Sequence, residues 1–270
     1  MLWLIAFVLL TVTGACGTVV NVNRWRLERR FEREMAALVA MPPTGVAPRA
    51  SVDLPPPVAR YRELAVGNRA AVVSLRLSHG GTFRMSAGAS PQPIRGTQVF
   101  SADPPGFCWL GTIRLAPGVW VHARDMLLRA EGSMFVLLDD TVTVADARGP
   151  ELDQGAALRL LAEMAWYPTA LFDARSVTWA AIDADHALAT LRVGALAVSG
   201  TFEFGSDGLP QSMTAQRHMD KAGLKTWRGT YRDWRSVSGM LVPFEADVTW
   251  DLDGGPYTYA HWIVHSLEYD

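Results

Sequence analysis

From Val72 onward, apolar and polar positions alternate with the period of two that is typical of β-strands. The run from Val73 to Ser78 leads into His79-Gly80-Gly81 and a second alternating run, which predicts a hairpin with a Gly-Gly turn. Short turns rich in Gly and Asp separate the later runs and imply antiparallel pairing. Further predicted strands span residues 98–101, 107–115, 119–123, 134–138, 141–144, 177–182, 187–193, 196–204, 212–217, 225–234, 240–250 and 257–269.

One segment of the body has a helical period instead. Asp153 can cap its N-terminus, and Pro168 ends it. We therefore predict a mainly β (α+β) fold, in which a strongly curved antiparallel sheet or half-barrel carries this helix across its concave face. The apolar stripe of the helix consists of Ala156, Ala157, Leu160, Leu161 and Met164.

The N-terminal segment from Leu2 to Val22 is almost wholly apolar or small and has no charged side chain. Such a helix can cross a hydrocarbon core of about 30 Å. Residues 1–23 are therefore predicted to form a transmembrane anchor. A cleaved signal peptide and lipidation at Cys16 are the alternatives. Against both, no Lys or Arg precedes the apolar run, and Thr13 is a poor residue three places before a lipidated Cys.

A charged segment and a proline-rich segment follow the predicted anchor. Residues 24–57 are interpreted as a charged helix with i,i+4 pairs such as Arg24–Glu28, and then a linker, while residues 58–270 form a single β-rich domain. The linker leads into a short helix from Val58 to Val66. The arginines that follow the span favour a cytoplasmic body under the positive-inside rule.

Composition narrows the function classes. The chain has 270 residues, of which 49% are apolar and 19% charged, so it can fold around a sizeable core. A formal charge of −2 gives no general attraction to nucleic acid. A disulfide between the two cysteines is not expected, because it would have to join the membrane segment to the body. Cys108 is therefore interpreted as a small buried apolar residue.

Motifs that carry chemistry are scarce. The best cluster is Asp183-Ala184-Asp185-His186, yet Asp-rich turns between strands usually satisfy their own backbone. His261 and His265 share a strand face but stand well apart. No zinc-protease motif, nucleophile elbow or phosphate-binding loop occurs in the sequence. We therefore predict neither a metal nor a cofactor, and a binding protein is favoured over an enzyme.

Glu163 is the candidate acid. A carboxylate beside an apolar helix stripe and Trp166 can have a raised pKa and act as a general acid or base. The alternative is a structural ion pair with Arg159 or Arg217. An enzyme would combine Glu163 with a histidine within hydrogen-bond reach, chosen from His79, His122 and His218.

The tryptophans alternate with polar neighbours, as core residues of strands do. A half-barrel that is too open to fill itself would leave some of them lining a pocket. The candidate ligand-binding residues are Phe107, Trp109, Glu163, Trp166, Tyr167, Arg217, Trp227 and Trp250.

Four motifs carry a resemblance from about Leu54 to the end of the chain. They are PGFCW at 105–109, LAEMAWYPTAL at 161–171, FEF at 202–204 before an Asp-Gly turn, and WRG at 227–229. In these motifs the sequence resembles a bacterial membrane-anchored family of unknown function. The predicted topology of this chain, with a helix across a curved meander of strands, is similar to the half-barrel of Lol-type lipoprotein carriers and mycobacterial lipid-binding lipoproteins. Those folds hold acyl chains between helix and sheet, and the resemblance implies an apolar ligand and a body in the bacterial envelope, outside the cytoplasm. The side of the membrane therefore stays open.

Three hypotheses follow. The leading one is a membrane-anchored binding module that holds a lipid or other apolar ligand between helix and sheet. The second is an envelope hydrolase that uses Glu163 with a histidine. The third is a non-catalytic scaffold at the membrane, which predicts a tightly filled sheet interior.

Overall fold

The computed structural model describes residues 2–47, 49, 53–219 and 223–270, with the backbone alone for residues 2 and 4–16. Within these ranges the chain forms helices α1 (Leu2–Val39), α2 (Pro56–Ala65) and α3 (Pro150–Glu163), and two 3₁₀ turns follow α3. The strands are β1 (Ser74–Phe83), β2 (Gln92–Ala102), β3 (Pro105–Ala116), β4 (Val119–Leu128), β5 (Glu131–Leu138), β6 (Val142–Arg148), β7 (Val177–Ala181), β8 (His186–Val193), β9 (Leu196–Phe204), β10 (Pro210–His218), β11 (Leu224–Val237), β12 (Met240–Leu252) and β13 (Gly255–Tyr269).

The strands of the described residues form one sheet in the order β6-β5-β4-β3-β2-β1-β13-β12-β11-β10-β9-β8-β7. Every neighbouring pair is antiparallel, and pairing of β1 with β13, for example Leu77 opposite Leu267, joins the two halves. The sheet is open, with β6 and β7 at its edges, and the chain passes from one edge to the other through α3. The prediction of a mainly β fold built on a curved antiparallel sheet is confirmed.

The first turns of α3 hold the two arms of the sheet together. Asp153 Oδ1 accepts a hydrogen bond from the backbone N–H of Gly132 in β5 at 2.6 Å. The Gln154 side chain donates to the carbonyl of Gln216 in β10 at 2.9 Å and accepts from the N–H of His218 at 3.2 Å. The helix therefore lies in the concavity and is bonded to both sides of it.

The predicted capping role of Asp153 is wrong. The helix begins at Pro150, whose fixed φ suits a first helical position. The Asp153 carboxylate consequently lies inside the helix, where it is free to bond to β5.

The charged half of α1 packs on the opposite, convex face of the sheet. Phe31, Met35 and Leu38 form a buried cluster with Val99 of β2 and Cys108 of β3. Burial raises the pKa of the Cys108 thiol to about 12. The interpretation of Cys108 as a buried apolar residue is confirmed.

Ion pairs fix the position of this helix along the sheet. Arg24 Nε lies 3.0 Å from a carboxylate oxygen of Asp140, in the turn between β5 and β6. Glu34 lies 3.3 Å from the buried guanidinium of Arg124. The predicted pair Arg24–Glu28 is replaced by Arg24–Asp140, because docking of the helix brings a carboxylate of the sheet within reach of Arg24.

Among the residues that the structure describes, no helix is long and apolar enough to cross a membrane. Side chains of residues 2 and 4–16, where most of the predicted anchor and the alternative lipidation site Cys16 fall, lie outside the described residues.

Replacing Phe31 by Ala is expected to loosen α1 from the sheet. Phe31 is only 5% exposed, and deleting a buried Phe side chain typically costs about 3 kcal/mol. Because α1 covers Cys108, local opening should speed alkylation of this thiol on the order of a hundredfold. Peptide-level mass spectrometry after iodoacetamide pulses measures the alkylation rate of Cys108 separately from that of Cys16. The matched variant Val39→Ala, at an exposed position of α1, should leave the rate unchanged. Equal rates in both variants would contradict the docking.

Candidate functional site

Between α3 and the concave face of the sheet lies a cavity of about 460 Å³. This volume falls in the range of small-molecule sites in proteins. Five acidic or basic residues contribute to an otherwise mostly apolar wall, namely Asp125, Arg159, Glu163, Arg217 and Asp247. The apolar and aromatic lining includes Phe83, Met85, Trp109, Ile113, Val121, Ala123, Met134, Val136, Trp166, Trp227, Tyr231, Val248, Tyr259 and Trp262.

An aromatic cluster forms the floor of the cavity. Trp109 Nε1 donates to His79 Nε2 at 2.8 Å, and the ring of Trp262 lies edge-on to His79 with centroids 4.5 Å apart. Gly96 of β2 and Gly111 of β3 stand opposite each other beneath these rings. A Cβ at Gly96 would overlap His79, and one at Gly111 would overlap Trp109. The two glycines therefore allow both rings to lie against the sheet.

A buried polar cluster joins α3 to β2 and β4. Arg159 donates to Glu163, one turn along α3, at 2.8 Å and to Asp125 of β4 at 2.8 Å. Gln98 of β2 donates to the other Glu163 oxygen at 2.7 Å. The guanidinium also lies 4.8 Å from the centroid of the Trp109 ring, a cation–π geometry. The cluster fixes the helix against the aromatic floor.

Electrostatics in this cluster follow from its burial. Burial raises the pKa of Glu163, and the opposing effects of Arg159 and Gln98 do not cancel the rise. Burial acts to lower the pKa of Arg159, but the carboxylates of Glu163 and Asp125 outweigh it and hold that pKa above its ordinary value. The charge of Arg159 is thus kept by the two acids beside it.

Arg217 occupies another part of the wall. Its guanidinium carbon lies 5.0 Å from the ring centroid of Trp227 and 5.8 Å from that of Trp250. Its Nη1 lies 3.5 Å from the hydroxyl oxygen of Tyr259, which also accepts a hydrogen bond from Trp227 Nε1 at 3.0 Å. Gly155 of α3 lies close to the same guanidinium. The cation lies between these aromatic rings and the helix.

The structure brings most of the predicted ligand-binding residues to this cavity. Those that line it are Trp109, Glu163, Trp166, Arg217 and Trp227. The other three lie one layer deeper. Phe107 and Tyr167 both pack on Phe100 in the core, and Trp250 lies beneath Arg217.

Sequence reasoning missed several lining residues. Asp125 and Tyr259 were not singled out, Trp262 was considered only as a core-facing tryptophan, and His79 only as a partner of Glu163. The alternation of β3 carried a usable signal, because Ile113 shares the inner face with Trp109 and Gly111. The pairing of distant strands, which assembles the rest of the wall, had no such local signal.

The histidines are bonded elsewhere. His79 bonds to Trp109 and to the carbonyl of Gly80, whereas His122 pairs with Asp140. His218 lies at the end of β10, where its backbone N–H donates to Gln154. Within the described residues, Glu163 has hydrogen bonds to Arg159 and Gln98 and none to a histidine. The alternative of an ion pair with Arg159 is confirmed, and in the part of the chain that the structure describes Glu163 makes no hydrogen bond to the histidines that the hydrolase hypothesis named.

The Asp183–His186 segment forms a turn that satisfies its own backbone. Asp183 Oδ1 accepts from the N–H groups of Asp185 at 2.9 Å and of His186 at 2.8 Å. The bond from the Asp183 carboxylate raises the pKa of the His186 ring. The interpretation of this segment as an Asp-rich turn is confirmed.

His79 is expected to make stability depend on pH. Burial lowers the pKa of His79 to about 4, whereas the unfolded chain takes up this proton near 6.5. Acid therefore favours the unfolded state, and lowering the pH from 7 to 5 should remove about 2 kcal/mol of stability through this residue.

Urea unfolding at the two pH values measures this loss. His79→Gln should abolish that share of the pH dependence, and the exposed control His265→Gln should retain it. An unchanged slope in His79→Gln would refute the assignment.

Comparison with known proteins places the chain in a family. The chain is similar to the crystal structure of a DUF1329 family protein from Desulfovibrio piger, with 12% identity, a TM-score of 0.44, and coverage of 80% of this chain and 93% of that one. It is also similar to the crystal structure of a LolA superfamily protein from Nitrosomonas europaea, with 10% identity, a TM-score of 0.41, and coverage of 81% and 94%. None of the curated proteins is significantly similar to it. A family model matches residues 46–262, most of the 270-residue chain, and the protein therefore belongs to the family of unknown function DUF6544.

Proposed function

We propose that the protein is a binding module that holds a lipid or other apolar ligand in the cavity between α3 and the sheet. The observation that carries the proposal is the cavity itself, which has about 460 Å³ of space behind a mostly apolar and aromatic wall. Contact with such a wall releases water from the ligand's apolar surface, which is the main driving force for binding.

The size of this space favours binding over a purely structural role. Protein interiors are close-packed and rarely contain voids larger than a water molecule. A scaffold that only positions partners has no need of such a space, and its sheet interior would be filled. The polar groups of the wall are fixed by bonds to one another, as Arg159 is by Glu163 and Asp125, so the cavity is formed before a ligand arrives.

The proposal includes attachment to a membrane through the N-terminal segment. Leu2 to Val22 carries no charged side chain, and α1 continues without a break to Val39. Since Phe31 and Leu38 of this helix pack on the sheet, an anchored segment would keep the cavity close to the bilayer surface.

A bulky side chain inside the cavity is expected to block binding. Ala123 lines the cavity, so Ala123→Phe should weaken binding of the neutral apolar dye N-phenylnaphthylamine by roughly tenfold or more, because the ring takes the volume of the dye. Dye fluorescence measures the affinity, and native mass spectrometry of the wild-type protein should show a co-purified lipid.

The matched control is Thr178→Phe, at an exposed position of β7, which should bind the dye as the wild type does. A wild-type protein that binds neither dye nor lipid, or an Ala123→Phe variant with undiminished affinity, would refute the proposal.

Membrane attachment is tested on the full-length protein in cells. We expect the intact chain, with its N-terminal segment uncleaved, to remain in the membrane pellet after alkaline carbonate extraction, because an apolar helix of this length is held by the hydrophobic effect. Recovery in the supernatant, or a mass that lacks the N-terminal segment, would contradict the anchor. A phosphatase reporter that is active only after export, fused after Asp270, then assigns the side of the membrane.

A further inference from the structure

The two arginines of the cavity differ in how their charges are balanced. Arg159 makes ion pairs with Asp125 and Glu163, each at 2.8 Å. Arg217 is half-buried, and no carboxylate among the described residues lies within 4.0 Å of its guanidinium. Withdrawing a cation from water is unfavourable unless an opposite charge or hydrogen-bond acceptors replace the water.

The contacts that Arg217 does make hold it in position without neutralising it. The rings of Trp227 and Trp250 lie 5.0 Å and 5.8 Å from the guanidinium carbon, and Nη1 donates to the Tyr259 hydroxyl oxygen at 3.5 Å. Five N–H donors in a planar fork suit a carboxylate or a phosphate. Most of these donors have no protein acceptor among the described residues.

Tyr259 supplies a second donor at the same place. Its oxygen accepts hydrogen bonds from Trp227 and lies next to Arg217, so the hydroxyl proton must point elsewhere. No acceptor for that proton occurs among the described residues, and Tyr259 lines the cavity. An O–H donor and a guanidinium thus adjoin one part of the wall.

The opposite side of the cavity is mostly aliphatic, apart from Asp125 of β4, which is paired with Arg159. Ile113 of β3, Val121 of β4 and Met134 and Val136 of β5 line it, and these strands lie on the other side of the sheet's centre from β10, which carries Arg217. A molecule that fills the cavity therefore meets a cation at one end and hydrocarbon at the other.

We propose that the ligand is an amphiphile with an anionic oxygen-bearing head, a carboxylate or a phosphate, which Arg217 and Tyr259 bind while its hydrocarbon tail lies against Ile113, Val121 and Val136. This inference rests on the proposed function and adds the chemical class of the ligand. The carboxylates of Glu163 and Asp125 on the same wall are both paired with Arg159.

The test compares probes that share a tail and differ in the head. Full-length protein in nanodiscs, with empty nanodiscs as the blank, is titrated by calorimetry with dodecanoate, dodecyl phosphate, dodecanol and dodecylammonium. We expect at least one of the two anions to bind roughly ten- to a hundredfold more tightly than dodecanol, the gain expected of a charged hydrogen bond. Dodecylammonium should bind most weakly. The anion that binds more tightly distinguishes a carboxylate ligand from a phosphate ligand.

Variants assign the preference to these side chains. Arg217→Gln should reduce anion affinity to that of dodecanol while leaving dodecanol affinity within about twofold, and Arg217→Lys should restore part of the preference. Tyr259→Phe should reduce the preference for the anionic probes by a smaller factor than Arg217→Gln does. The matched control Arg228→Gln removes an arginine that pairs with Asp251, and it should bind all probes as the wild type does.

The outcomes separate this inference from the proposed function. Equal affinities of the wild type for dodecanoate, dodecyl phosphate and dodecanol would overturn the anionic head and leave apolar binding intact. Loss of dodecanol binding together with anion binding in both Arg217→Gln and Arg217→Lys would make Arg217 a structural residue and also overturn the inference. No binding of any probe would overturn both proposals.

Discussion

The hydrogen bonds at the start of α3 are the interaction on which the rest of the structure depends. An open antiparallel sheet has two unpaired edges and no intrinsic reason to stop curling at a given radius. Asp153 bonds to β5 and Gln154 bonds to β10, so adjacent residues of one helix set the distance between the two arms. That distance defines the width of the cavity, and the Arg159 cluster further along α3 then fixes the helix against the aromatic floor.

Much of the fold could be predicted because strand alternation is local information. The runs that contain Trp109 and Trp262 alternate clearly enough to reveal both strands and their inner faces. The docking of α1 was missed although it had a signal. Leu27, Phe31 and Met35 recur at four-residue spacing within a charged segment, which is the pattern of a helix with one buried stripe. The emphasis on charge hid that stripe, and only the tertiary structure identifies the sheet that covers it.

The sequence indicates which residues belong to the site better than it indicates where each of them lies. Alternation gives the face of a strand but not the depth at which a side chain lies, so Phe107 and Trp109, both on the inner face, were given one role and occupy two layers. Glu163 could be identified from its place beside the helix stripe. Its partner Asp125 could not, because it comes from a strand whose contact with α3 depends on how far the sheet curls.

Strand β3 faces two environments in alternation. Cys108 lies under α1 on the convex face, while Trp109 lies beside the cavity on the concave face. Adjacent residues of one strand therefore contact the N-terminal helix on one face and the binding cavity on the other, so that only this strand separates the helix from the cavity. Inserting or deleting a single residue near Trp109 would exchange the two faces over part of the strand, turning the indole toward α1 and the thiol toward the ligand space. This strand should therefore accept changes of side chain far more readily than changes of length.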